Sequence, residues 1–313
     1  MLVEVHRSGF LESVHRGSLV LLDAEGAVTA AVGAVGTPTL PRSSNKPVQA
    51  TTYLDAGWVP RSTEELAIAA GSHSGEPGHV ELALAVLAGA GLGPDDLGCP
   101  AALPSDERER ATWLVEGRAP QRAAMNCSGK HAAMLSACVA AGWPTRGYLD
   151  PQHPLQRAIE ARLGEAGGEP VSAVVVDGCG APQHALSVTG LARGVLSLVQ
   201  AEPGTPGRAV ADAMRAHPWL VAGTGQADTR LMQAVPGLLV KMGADGVHVA
   251  AVPGAGAVAL KLDDGGDRGR LPALCAGLAR LGVDRSLLEP FAVTPVSGGD
   301  GVVGEVRAAA VLA

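Results

Sequence analysis

Aromatic side chains are scarce in this chain: two Tyr, two Phe and four Trp among 313 residues, 3% of the whole. A core so short of rings must be filled by Ala, Val and Leu packed closely, and 42 glycines imply many tight turns. No block of basic residues occurs, and the net charge is -7, with a pI near 5.7. Binding to nucleic acid or to an anionic membrane therefore lacks electrostatic support, and a small molecule is the expected partner. No apolar run approaches the length of a bilayer span. The start, Met1 to Arg7, shows no basic region, apolar stretch and cleavage site in series, so a cytoplasmic location is expected. Five cysteines, Cys99, Cys127, Cys138, Cys179 and Cys275, are an odd, scattered set and form no disulfide framework.

Lysine is the other scarcity. Of 24 basic residues only four are lysine: Lys46, Lys130, Lys241 and Lys261. Arginine does not deprotonate in a protein, whereas a desolvated lysine can act as a base or a metal ligand. A chain that uses arginine nearly everywhere and keeps lysine at a few positions marks those positions for chemistry. Lys261 is the exception, on an alternating strand before a turn, where a surface charge suffices.

What is present is 47% hydrophobic and long enough for one large core or two closely packed lobes. The pattern from Val3 to Val32 is strand-like, with Ser18 to Asp23 and Ala27 to Val32 forming a hairpin about Asp23-Ala24-Glu25-Gly26. Short strands run again from Leu238 to Asp263. Between them, apolar periodicity predicts helices over Val80 to Leu92, His131 to Ala141, Leu155 to Leu163, Arg208 to Ala216 and Thr229 to Ala234. Strands at both ends with helices between predict an α+β fold, with an antiparallel sheet built from both termini and an inserted helical region. A single domain is expected over 1–313, with a sheet lobe over roughly 1–40 plus 236–313 and a helical lobe over roughly 41–235.

The chemistry centres on Pro41-Arg42-Ser43-Ser44-Asn45-Lys46-Pro47. Ser43 to Ala56 can form a helix with Pro47 in its first turn, and i, i+3 positions share a face, so a neutral Lys46 could accept the Ser43 proton. Alone, a capped helix explains the same residues. Gly71-Ser72-His73-Ser74-Gly75-Glu76-Pro77 lies on a turn between helices and can project a hydroxyl, with Ser74 as a helix cap the competing reading. Lys241 closes the apolar strand Leu238-Leu239-Val240, where a surface charge is out of place. Asn126-Cys127-Ser128-Gly129-Lys130-His131 and Asp177-Gly178-Cys179 put two cysteines on glycine-containing loops. They could bind a soft metal such as zinc, or Cys127 with His131 at i+4 could form a cysteine-hydrolase pair. Cys138 and Cys275, in apolar helical runs, read as core.

Taken in order, Glu12 to Gly17, Arg42 to Ala50, Ser72 to Glu76, Asn126 to His131, Asp177 to Cys179, Gly223 to Gly225 and Val240 to Ala244 resemble the asparaginase II family, the rhizobial-type or class 3 L-asparaginases. The resemblance spans most of the chain. It implies a serine β-lactamase-like fold, a homodimer, and hydrolysis of L-asparagine to L-aspartate and ammonia. The family's Ser-Lys tandems fall on Ser43 with Lys46 and on Ser72 with Lys241, and its zinc site on Cys127, Lys130 and Cys179. Zinc there would position substrate and not activate water. Arg42, His131 and Asp177 are the residues expected to meet the amino-acid end of the substrate. Met242 departs from the lysine-threonine-glycine element that Lys241-Met242-Gly243 otherwise resembles, and the Gly71 position is often alanine. A related serine amidohydrolase acting on glutamine, a β-lactam or a peptide is the alternative, followed by a non-catalytic zinc-binding sensor on the same scaffold.

Overall fold

The structure is a computed structural model and describes residues 1–312. The first hairpin forms where turn chemistry asks for it. The Asp23 carboxylate accepts from the Glu25 and Ala27 N–H groups at 3.1 and 2.8 Å, and Gly26 takes φ of 84°. The N-terminal strands are β1 (Val3–Arg7), β2 (Phe10–His15), β3 (Gly17–Leu22) and β4 (Val28–Val32), followed by a short β5 (Pro38–Thr39). Helices then dominate: α1 (Lys46–Asp55), α2 (Thr63–Ala69), α3 (Pro77–Gly89), α4 (Glu107–Val115), α5 (Ser128–Ala141) and α6 (Pro154–Gly167). After the short strands β6 (Val174–Val176), β7 (Pro182–His184) and β8 (Leu186–Ser187) come α7 (Val188–Gln200), α8 (Pro206–Ala216), α9 (Pro218–Ala222) and α10 (Ala227–Ala234). The chain ends on β9 (Leu239–Gly243), β10 (Val247–Val252), β11 (Gly256–Leu262), α11 (Arg270–Arg280), α12 (Arg285–Ala292), β12 (Val293–Gly298) and β13 (Gly301–Ala308).

The fold is α+β, and both larger sheets draw on the two ends of the chain. One is antiparallel in the order β4-β3-β11-β10-β9, the other in the order β12-β13-β1-β2. Leu19 to Leu22 pair with Ala257 to Leu260, so the N-terminal hairpin is sealed by the C-terminal strands across a buried apolar stretch. The sequence reading expects a single sheet; the C-terminal hairpin β12-β13 instead adds to β1 and makes a second. Helix α7, which apolar periodicity does not isolate, is buried along most of its length and packs against β3, β10 and β11. It is the floor of the sheet. Among the described residues, no helix is long and apolar enough to cross a membrane.

Candidate active site

The segment from Pro41 departs from a plain helix start. Arg42 sits at φ of 52°, a left-handed conformation that a side chain seldom adopts, and residues 42–45 form a 3-10 turn before α1 begins at Lys46. Lys46, the residue after that turn, donates its backbone N–H to the Ser43 carbonyl. The capping alternative finds no support: among the described residues no side chain caps α1, and the Ser44 hydroxyl donates to the Pro41 carbonyl at 2.6 Å, fastening the turn. Lys46 is 1% exposed. Its Nζ donates to the Gly71 carbonyl at 2.6 Å and to Ser72 Oγ at 2.8 Å. The sequence reading pairs Ser72 with Lys241, but the lysine bonded to it is Lys46.

The turn that presents Ser72 is clamped on both sides. Ser72 N–H donates to the Val221 carbonyl at 2.7 Å, and His73 N–H to the Asn126 carbonyl at 3.1 Å. Gly71 is needed by the close approach of α9: a Cβ there would lie 2.7 Å from the Leu220 carbonyl oxygen. Ser74 does not cap α3; its hydroxyl donates to Glu76 at 2.7 Å. Glu76 also accepts from Thr224 N–H at 2.8 Å, Thr224 Oγ1 at 2.7 Å and Trp219 Nε1 at 3.2 Å, locking the 219–224 segment onto the Ser72 turn.

Lys241 lies on β9, at the edge of the five-stranded sheet, and is fully buried. Its Nζ donates to the Met242 carbonyl at 3.0 Å. Burial pushes the Lys241 ammonium down to about 7; Asp228 opposes the fall, and the Lys46 and Arg270 cations add to it. Strand β9 reaches the Ser43 turn because Gly243 has no side chain: a Cβ there would stand 2.5 Å from the Pro41 carbonyl oxygen. The sequence reading does not find Asp228 and His248. Asp228, 2% exposed, accepts from Met242 N–H at 2.7 Å and meets His248 Nε2 at 2.8 Å. The available signal was an acidic residue in the first turn of a short helix just before the Lys241 strand, which looks like an ordinary helix dipole partner.

On the other side, the buried Cys127, Cys179 and Ala181 pack together, and Lys130 Nζ donates to Cys179 Sγ at 3.2 Å. A hydrogen bond from Cys179 holds the Cys127 thiol well below its ordinary range against the opposing effect of burial, helped by the Lys46 and Lys130 cations. Arg42 Nε donates to Asp177 at 2.8 Å, and its Nη1 pairs with Asp245. Burial pushes Asp177 up, but Lys130, Arg42 and the Gly178 N–H outweigh it and hold the carboxyl below its ordinary range. Burial takes His131 down to about 4, so the ring is neutral; Nδ1 bonds Tyr148 OH at 2.7 Å, and the buried Nε2 has no hydrogen-bond partner among the described residues. Hydrogen bonds thus join Lys46 to Ser72, Lys130 to Cys179 and Arg42 to Asp177, the Lys46 charge acts on Lys241, Cys127 and His131, and among the described residues no side-chain hydrogen bond joins Ser43 to Lys46.

Burial pulls the Lys130 ammonium down, but Cys179, Cys127 and Asp177 outweigh it and hold it above its ordinary range, so zinc bound by the two thiols and this amine would have to displace the lysine proton. Among the described residues, no group of three His, Cys, Asp or Glu side chains is arranged to hold a metal, so a metal site here depends on Lys130. Cys138 on α5 and Cys275 on α11 are pushed by burial up to about 11 and about 12 and lie in the core. Lys261 is partly exposed on β11 and donates to the Asp245 carbonyl. A cavity of about 430 Å³ opens onto Ser72, walled by Gln226, Asp228, Met242, His248 and Arg270.

The L-asparaginase II family profile matches residues 3–308, nearly the whole chain. Among curated proteins no match is found. Of the solved structures it is similar to, Mglu in its native form is 15% identical with a TM-score of 0.44, the match covering 91% of this chain and 66% of Mglu. This chain therefore spans just under two thirds of that protein's length. A β-lactamase from Mycobacterium bovis is 13% identical with a TM-score of 0.44, covering 80% of this chain and 88% of its own. At those values neither likeness bears on function.

Proposed function

The chain belongs to the L-asparaginase II family, and from that premise we propose that it is a hydrolase acting on amides that releases L-aspartate and ammonia from L-asparagine, with Ser43 as nucleophile. The observation that carries the reading is the buried Lys46, whose Nζ is bonded to the Gly71 carbonyl and to Ser72 Oγ and whose backbone N–H donates to the Ser43 carbonyl. A neutral amine has two N–H groups and one lone pair. When Lys46 has given up its charge, both N–H groups stay engaged and the lone pair is left to take the Ser43 proton as its oxygen attacks the side-chain carbonyl.

Ser72 then passes a proton from Lys46 to the departing ammonia, and water hydrolyses the aspartyl ester by the reverse route. Lys241 contributes positive charge beside Lys46. Backbone N–H groups near Ser43 and at the end of β9, brought together by Gly243, would face the developing oxyanion. Arg42, Asp177 and His131 meet the α-carboxylate and α-ammonium. Cys127, Lys130 and Cys179 would hold zinc, which when bound supplies a fixed positive charge for orienting substrate.

Ammonia release from asparagine, glutamine and hydrolysis of a β-lactam, measured side by side on the purified protein, tests the substrate. Asparagine is expected to give the highest kcat/KM. A higher value for either of the others would move the assignment to a related amidohydrolase.

A further inference from the structure

Asp228 and His248 are buried, bonded to each other, and given no part in the chemistry above, yet they stand directly behind Lys241. Strand β9 is an edge, and an edge strand leaves alternate N–H groups without a strand partner. The Met242 N–H is satisfied by Asp228, and the other Asp228 oxygen meets His248 on β10, which stands opposite Met242 in the register. One carboxylate therefore ties two adjacent strands together at the residue that follows Lys241 in sequence and whose carbonyl accepts from Lys241 Nζ.

A buried carboxylate is costly unless it is hydrogen-bonded and near opposite charge. Burial pushes Asp228 up, but His248, the Lys241 ammonium and the Met242 N–H together hold it below its ordinary range. The charged and titratable groups that act on Lys241 are Asp228 from α10, Lys46 from α1, Cys127 just before α5 and Arg270 from α11, with His248 on β10 tied to Asp228. The pair also forms one wall of the cavity that opens onto Ser72, and Nδ1 of the buried His248 has no hydrogen-bond partner among the described residues.

We propose that Asp228, steadied by His248, is the positioning residue of the second lysine: it fixes the end of β9 and supplies a buried counter-charge to Lys241. The inference rests on the placement of Lys241 in the catalytic site. Because the chain contains only four lysines, carbon-13 labelling at lysine Cε gives a spectrum simple enough to follow Lys241 directly, with Lys241→Arg identifying its resonance.

Asp228→Asn keeps the shape and removes the charge. The Lys241 titration midpoint is expected to move to lower pH by about one unit or more, as befits the loss of a nearby opposite charge. The asparagine kcat should fall about tenfold or more with KM within about twofold, the signature of a group that acts without touching substrate. An unmoved midpoint with unchanged kcat in a folded Asp228→Asn protein would overturn the proposal, as would a loss confined to KM. His248→Gln decides if Asp228→Asn does not fold: it leaves the carboxylate in place, so kcat should fall with the Lys241 midpoint unmoved, and a wild-type kcat would overturn the proposal. If the wild-type protein releases no ammonia from asparagine, the functional reading fails, and the substrate-free Lys241 midpoint in Asp228→Asn still decides this one.

Discussion

Lys46 Nζ lies 2.8 Å from Ser72 Oγ, so the lysine three residues after one serine is hydrogen-bonded to the other, 26 positions away. Under the proposed function this contact makes Ser72 the proton carrier. Ser72→Ala is expected to lower kcat by about 10² to 10³, in the range of a lost proton-transfer group, with KM nearly unchanged. Steady-state kinetics of ammonia release check this, and a variant with full kcat would remove Ser72 from the proton path.

The site holds cations too close together for all of them to stay charged. Burial first, and the neighbouring cations after it, bring Lys241 down to about 7. The asparagine kcat/KM should therefore fall as pH climbs through about 7 and Lys241 loses the positive charge it contributes beside Lys46. Stability has the opposite sign: above about 7 the folded Lys241 is neutral while the unfolded chain still binds that proton, so stability increases with pH up to the ordinary lysine range. In Lys241→Met this part of the slope of melting temperature against pH should vanish.

Gly243 allows the Lys241 strand to touch the Ser43 turn. Gly243→Ala would place a Cβ 2.5 Å from the Pro41 carbonyl. Overpacking of this kind costs about 1 to 3 kcal/mol, and the shift of β9 should lower kcat by more than the stability loss alone explains. Denaturant unfolding alongside kinetics separates the two effects.

If Cys127, Lys130 and Cys179 hold zinc that orients substrate, removing it should raise KM while leaving much of kcat. Metal analysis of the purified protein should find about one zinc per chain, the capacity of a single closed ligand set, and Cys179→Ala should lose both the metal and the asparagine affinity. Zinc-free protein with unchanged KM would withdraw the metal from the account.

Much of this was legible in the sequence because it rests on local chemistry. Asp23 and Gly26 announce their hairpin, and lysine scarcity separates Lys46, Lys130 and Lys241 from Lys261. Long-range geometry was not legible. No spacing shows that Lys46 reaches across to Ser72, that Arg42 takes a left-handed conformation, or that the C-terminal strands form a second sheet with β1. Asp228 escaped notice for a related reason: its partners, Met242 N–H and His248, are brought to it only when β9 and β10 pair beside α10.

The central claim is that Ser43 attacks, and the attacking residue can be read from the covalent intermediate. Asparagine mixed with enzyme, quenched in acid within the first turnovers and digested, should yield an aspartyl adduct on the peptide carrying Ser43, and Ser43→Ala should yield none and release ammonia only at background rate. An adduct on Ser72 or on Cys127 would contradict the account.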